Sequence, residues 1–107
     1  MLTDIEKKLI KKEETFCSNT YHPLPVVLKK GKGVFVWDVN NKKYFDYLSA
    51  YSAVNQGHCN KQILKTFIKQ AKKLTLTSRA FYNNELGNSL EYLSLIHISE
   101  PTRLESI

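Results

Sequence analysis

Two short stretches of this 107-residue chain carry side chains whose types and spacing could do chemistry. Tyr21 and His22 open the run YHPLP at 21–25. Each proline fixes its own φ and pushes the residue before it toward an extended conformation, so both side chains stand on a stiff arm. Tyr51, Asn55, Gln56 and His58 fall within YSAVNQGH at 51–58. A buried strand does not hold this many polar groups without partners, whereas a loop lining a polar cleft does. A second reading stands beside it, in which Asn55 and Gln56 only satisfy backbone groups and the tyrosines only pack.

No complete catalytic set accompanies them. Gly31-Lys32-Gly33 lacks the glycine and Ser/Thr spacing of a phosphate loop and reads as a turn. His22, His58 and His97 share no metal-ligand spacing. There is no GxSxG and no placeable Ser/His/Asp set. Cys17 and Cys59 lie far apart without CxxC spacing, which speaks against a disulfide framework or a zinc site and for two reduced thiols.

Elements that would position these groups follow from periodicity. Thr3 and Glu6 form a capping-box signature, and Leu2, Ile5 and Leu9 give an amphipathic helix to about Glu14. After the proline arm comes a short strand at 26–28, the turn at 31–33, and a β-rich run at 34–39 holding the single tryptophan, Trp37. Asn40 and Asn41 tolerate positive φ, as a tight hairpin turn requires, and 43–48 is the return strand. The three strands make an antiparallel meander. Residues 49–59 are irregular. Asn60 caps a helix at 61–74, with Ile63, Leu64, Phe67, Ile68, Ala71 and Leu74 on one face. Residues 75–82 are extended or loop, and Asn83 or Asn84 caps a further helix through Tyr92. The change of period from 2 to 3.6 marks a mixture of strand and helix.

Composition excludes some classes. The chain is 42% hydrophobic and 24% charged, ordinary for a globular protein and too apolar for a disordered one. The charge of +6 comes from lysine pairs spread along the chain, from Lys7-Lys8 to Lys72-Lys73, and reads as solvated faces rather than a nucleic-acid or membrane site. No run approaches the ~20 apolar residues of a membrane span. The first 16 residues hold four acids and no arginine, unlike a secretory signal or mitochondrial presequence, so the expected location is cytoplasmic.

The strings YHPLPVVL (21–28), GKGV (31–34), WD (37–38), KYFD (43–46), LS (48–49), YSAVNQGHC (51–59) and LTLTSRAFYNN (74–84) resemble the amino-terminal part of the ornithine aminotransferases, within the class-III pyridoxal-phosphate aminotransferases. The resemblance covers about 14–92. The arm, the YSAVNQGH loop and LTLTSRAFYNN are specific to that group, and the GKG–WD–KYFD hairpin is shared more widely. Asn60-Lys61 stands where the family has His-Pro, and 16–20 also depart from its pattern.

The resemblance implies an α/β fold: the arm, antiparallel meander and first helices of a fold-type-I transferase, incomplete here. It implies pyridoxal 5'-phosphate as cofactor, ornithine and 2-oxoglutarate as substrates, and a homodimer. Transfer of the δ-amino group of ornithine would give glutamate semialdehyde, which cyclises to pyrroline-5-carboxylate, and glutamate. It places Tyr21 and Tyr51 in the substrate pocket, where a hydroxyl on an aromatic ring can meet the ornithine α-carboxylate or its polar surroundings. It places Ser78, Arg79, Phe81 and Tyr82 at the dimer interface or the mouth of the active site. The cofactor-bonding lysine and its supporting residues match nothing in this chain, which is therefore expected to be inactive alone.

Residues 93–103 (LSLIHISEPTR) resemble the in-frame translation of a transposase-type sequencing adapter. The expected organisation is thus an arm with its helix at 1–20, the aminotransferase segment at 21–92, and a non-native tail at 93–107. Two rivals stand beside it: another ω-aminotransferase of the acetylornithine or 4-aminobutyrate type, and a small basic binding or dimerisation module without catalysis. Truncation would leave the Ile63, Leu64, Phe67 and Ile68 face bare.

Overall fold

The computed structural model describes residues 1–96. The chain divides into two compact units, Met1–Lys69 and Gln70–Ile107.

In the first unit, α1 (Asp4–Phe16) begins at the expected capping box. The Thr3 hydroxyl accepts from the Glu6 amide at 3.4 Å, and the Glu6 carboxylate accepts from the Thr3 amide at 2.8 Å. Two of the amides that a helix start leaves free are thereby satisfied. The Thr3 hydroxyl also lies 3.2 Å from the side-chain oxygen of Asn40, which ties the helix start to the hairpin turn. Residues 17–27 form no helix or strand, as the prolines require.

Strands β1 (Leu28–Lys32), β2 (Phe35–Asp38) and β3 (Lys43–Phe45) form an antiparallel sheet in that order. The meander was expected, but its boundaries differ. The first strand starts at Leu28 rather than Val26. Gly31 and Lys32, expected in a turn, pair with Val36 and Phe35. Only Gly33 turns, at φ +58°. Gly31 serves a close approach instead: a Cβ there would sit 2.8 Å from Cγ of His58. The return strand ends at Phe45 rather than Leu48, because Asp46 redirects the chain.

The hairpin turn is local chemistry. One carboxylate oxygen of Asp38 accepts from the Asn40 and Lys42 amides, each at 2.9 Å, and the other accepts from the Tyr44 hydroxyl at 2.9 Å. Of the two asparagines only Asn41 adopts positive φ, +65°. The Asp38 amide donates to the Lys42 carbonyl at 3.0 Å, closing a three-residue loop with one left-handed position. Burial pushes the Asp38 carboxyl up, but the Lys42 amide, the Tyr44 hydroxyl and the Asn40 amide outweigh it and hold it below its ordinary value. The same bond to Asp38, then burial, raises the Tyr44 phenol.

Alternation along β2 puts Val36 and Asp38 on a buried face and Phe35 and Trp37 on the other. Val36 is the one buried apolar residue among those described. On the opposite face the rings of Phe35 and Phe45 lie 4.8 Å apart, and the Lys43 ammonium sits 3.8 Å from the Phe35 centroid.

The element α2 (Ser49–Ser52) is a single turn of left-handed backbone. Helix α3 (Lys61–Ala71) starts where the Asn60 side chain accepts from the Gln62 and Ile63 amides, at 3.0 and 3.2 Å. Its apolar stripe is bare, with Ile63 56% and Phe67 68% exposed. It stops three residues before the expected Leu74. There the Gln70 carbonyl accepts from both Lys73 and Leu74, and the Gln70 side chain donates back to the Leu74 carbonyl.

In the second unit, 72–85 is irregular, with a turn in which the Phe81 amide donates to the Ser78 carbonyl at 3.2 Å. Asn83 caps α4 (Leu86–Ile96), accepting from Glu85 at 3.0 Å and Leu86 at 2.8 Å. Helix α4 continues past Tyr92 through Leu93–Ile96, the first residues of the expected tail. The remainder of that tail, with His97 and Pro101, lies outside the described residues. Among those described, no helix is long and apolar enough to cross a membrane.

Candidate functional site

A loop from Asp46 to His58 rises from the sheet and returns to the point where it left. Both ends are pinned to the turn between β1 and β2. The Asp46 amide donates to the Val34 carbonyl at 2.9 Å. His58 and Gly33 exchange both backbone bonds, at 2.8 and 3.0 Å. Side chains close the same base: Nε2 of His58 lies 2.7 Å from Oδ2 of Asp46. A carboxylate only accepts, so Nε2 carries the proton in this bond. Gly57, at φ +85°, is needed for the return, because a Cβ there would lie 3.1 Å from the Gly33 Cα.

Within the loop the backbone is held against its own preference. Ser49, Ala50, Tyr51 and Ser52 take φ values of 48°, 49°, 57° and 70°. None is glycine, and each L-residue in that region costs about 1–2 kcal/mol. Such a run persists only where its surroundings over-determine it. Here Oδ1 of Asp46 accepts from the Leu48 amide at 3.2 Å and the Ser49 amide at 2.9 Å. The Ser49 hydroxyl donates to the Asp46 carbonyl at 3.1 Å. On the far side the Val54 amide donates to the Ser49 carbonyl at 3.0 Å. The Ser49 amide first, then the His58 side chain, hold the Asp46 carboxyl below its ordinary value against the opposing effect of burial.

Within this left-handed run Tyr51 is 98% accessible. Tyr21 is also exposed, at 78%, on the irregular arm. Of the other polar residues singled out in the sequence, Asn55 and His58 line a small cleft with Gly33, Asp46, Ser49 and Gly57. Tyr21, His22, Tyr51 and Gln56 are not in that lining, and the Gln56 carbonyl accepts from the Asn60 side chain at 3.4 Å. In the second unit Ser78 sits at the turn described above, and Phe81 and Tyr82 are exposed. Sequence reasoning passed over Asp46. An aspartate that ends a strand, with a serine three residues on, is a signature of a side chain capping its own following turn, and that signal was there to be read.

The family described as Aminotransferase class-III matches residues 16–104. The chain belongs to the class-III aminotransferases. The matched span includes part of the stretch read above as adapter-derived. The chain is 57% identical over 90 residues to a Drosophila ananassae protein named ornithine aminotransferase, mitochondrial, covering 84% of this chain and 21% of that one. It superposes on the Plasmodium falciparum ornithine delta-aminotransferase with TM-score 0.80 and 50% identity, over 85% of this chain and 24% of that one. An acetylornithine aminotransferase from Elizabethkingia anophelis gives TM-score 0.79 and 54% identity over the same shares, 85% and 24%. This aminotransferase chain thus spans about a fifth to a quarter of the proteins it matches, and the fold is a part of theirs.

The cleft between Asp46 and His58 offers no group to bond or hold pyridoxal phosphate. Its volume is about 120 Å³. Its lining holds no lysine to bond the cofactor and no arginine to meet its phosphate. What the cleft residues do is shape the loop that carries Tyr51.

Proposed function

We propose that this chain serves as the substrate-facing amino-terminal part of an ornithine aminotransferase. Tyr21 and Tyr51 line the pocket, their hydroxyls meeting the ornithine α-carboxylate or the polar groups around it. In the whole enzyme the δ-amino group of ornithine moves to 2-oxoglutarate, giving glutamate semialdehyde, which cyclises to pyrroline-5-carboxylate, and glutamate. Pyridoxal phosphate, implied for full-length members of the family, supplies the electron sink when bound. Ser78, Arg79, Phe81 and Tyr82 would face a second subunit or the active-site mouth. By itself the 107-residue chain would turn over nothing, because none of its lysines matches the one that bonds the cofactor in the family.

One observation carries the reading: a fully exposed tyrosine held on four consecutive left-handed residues. Strained backbone concentrates where ligands are clamped. The test is Tyr51→Phe in the full-length enzyme. Ornithine use is expected to weaken by about tenfold, the scale of one hydrogen bond to a charged group, with 2-oxoglutarate use little changed. Equal losses for both would overturn the assignment.

A second reading is transfer from N-acetylornithine, favoured by the match to the Elizabethkingia enzyme. Relative kcat/KM for ornithine and its α-N-acetyl derivative decides between them. Two further proposals complete the reading. A cytosolic site stands as a proposal beside relatives named mitochondrial, and is tested by fractionation of cells that express the full-length enzyme. A non-native origin for 93–107 is suggested by its adapter-like string and is tested by a genomic read across codons 85–107.

A further inference from the structure

We infer that Asp46 and His58 form a clamp that positions Tyr51, and thereby set selectivity for the amino-acid substrate without touching it. The inference rests on the ornithine reading above and adds two positioning residues to it.

The clamp is built from independent contacts that converge on one loop. The Asp46 carboxylate divides its two oxygens between two tasks. Oδ1 gathers the Leu48 and Ser49 amides and so turns the chain into the left-handed run. Oδ2 receives the His58 ring at 2.7 Å. His58 in turn cannot drift, because its backbone exchanges two hydrogen bonds with Gly33 and its ring fills the space where Gly31 lacks a side chain. The loop's entry and exit are therefore locked to each other and to the sheet. The side chain of Tyr51, five residues beyond Asp46, has no hydrogen bond among the described residues, so its placement is inherited from the backbone beneath it.

That backbone is unfavourable by about 1–2 kcal/mol per residue if released. Loosening the base would let Ser49–Ser52 relax to ordinary right-handed or extended conformations, and each such change redirects the Tyr51 side chain. A displacement of about 1 Å in a positioning group is enough to cost on the order of a hundredfold in a reaction. Charge-assisted bonds such as the one between His58 and Asp46 are the stronger class, suited to holding a strained segment.

The test uses the full-length enzyme, with cofactor absorbance and subunit state checked for every variant. His58→Ala is expected to raise KM for ornithine about tenfold and leave KM for 2-oxoglutarate within about twofold. His58→Gln, whose amide can donate in place of Nε2, is expected to recover most of the loss. The double variant His58→Ala/Tyr51→Phe is expected to lose much less than the product of the two single losses, because both remove the same contact. If alanine at 58 yields no soluble enzyme, Asp46→Asn replaces it, keeping an oxygen for the Leu48 and Ser49 amides while removing the carboxylate from His58; the same ornithine-selective loss is expected. The clamp is overturned by equal losses for both substrates, by failure of glutamine to rescue, or by multiplicative losses in the double variant. Tyr51→Phe separates the two levels: unchanged ornithine kinetics there sinks the ornithine reading itself, whereas an ornithine-selective loss there with none in His58→Ala sinks the clamp alone.

Discussion

The hairpin of β2 and β3 and the loop from Asp46 to His58 are neighbours in the chain and opposites in construction. Each is organised by an aspartate whose carboxylate collects two backbone amides. In the hairpin the aspartate works with the local preferences of its residues. Asparagine supplies the single left-handed position, and cross-strand pairs such as Phe35 with Phe45 supply the packing. In the loop the aspartate works against them, forcing serine, alanine and tyrosine into a region they avoid. The difference teaches where function is sited: the hairpin follows its residues' own preferences, while the loop stores strain in the backbone that carries Tyr51.

Substitutions can break this contrast. The largest effect is expected from Gly31→Val, which drives a branched side chain into the His58 ring and should destabilise the first unit by about 1–3 kcal/mol. Thermal unfolding followed by Trp37 fluorescence reads it, and an unchanged midpoint would mean that His58 is free to move. Next is Ala50→Gly. Glycine in an ordinary helix costs about 0.5–1 kcal/mol, but at a strained left-handed position it should stabilise by about 1 kcal/mol. A loss instead of a gain would remove the strain from the account.

Asn41→Gly sharpens the comparison from the other side. Asparagine already tolerates that conformation, so the change should be no more than a few tenths of a kcal/mol. A gain as large as that of Ala50→Gly would erase the distinction between the two regions.

Acid and base should give the smallest and broadest effects. Asp38 and Asp46 have lowered carboxyl values in the folded chain, so their contribution is complete above the unfolded value near 3.9 and is lost as pH falls through the folded values. Tyr44 has a raised value, so its contribution is complete below about 10 and is lost as pH rises beyond it. Through these three groups, unfolding midpoints should fall at the acid end and at the alkaline end. In Asp46→Asn the acid limb should shrink but persist through Asp38.

Much of the chain could be read without coordinates wherever a signal was confined to a few residues. The Thr3–Glu6 box, the Asn60 and Asn83 caps, the three-strand meander and the bare stripe of α3 all rest on contacts within about four residues or on simple periodicity. Element ends were harder: Gly31 looks like a turn residue until His58, far along the chain, is seen to occupy its face. For the site, the sequence by itself determined which side chains were available, with Tyr51, Asn55, Gln56 and His58 marked as too polar for a buried strand and Tyr21 and His22 set on the stiff arm. It could not say that Ser49–Ser52 run left-handed, since no residue there prefers it. That was decided by tertiary structure, because only the bonds joining Asp46, His58, Gly33 and Val34 across the sheet supply enough free energy, at one place, to overrule the local backbone.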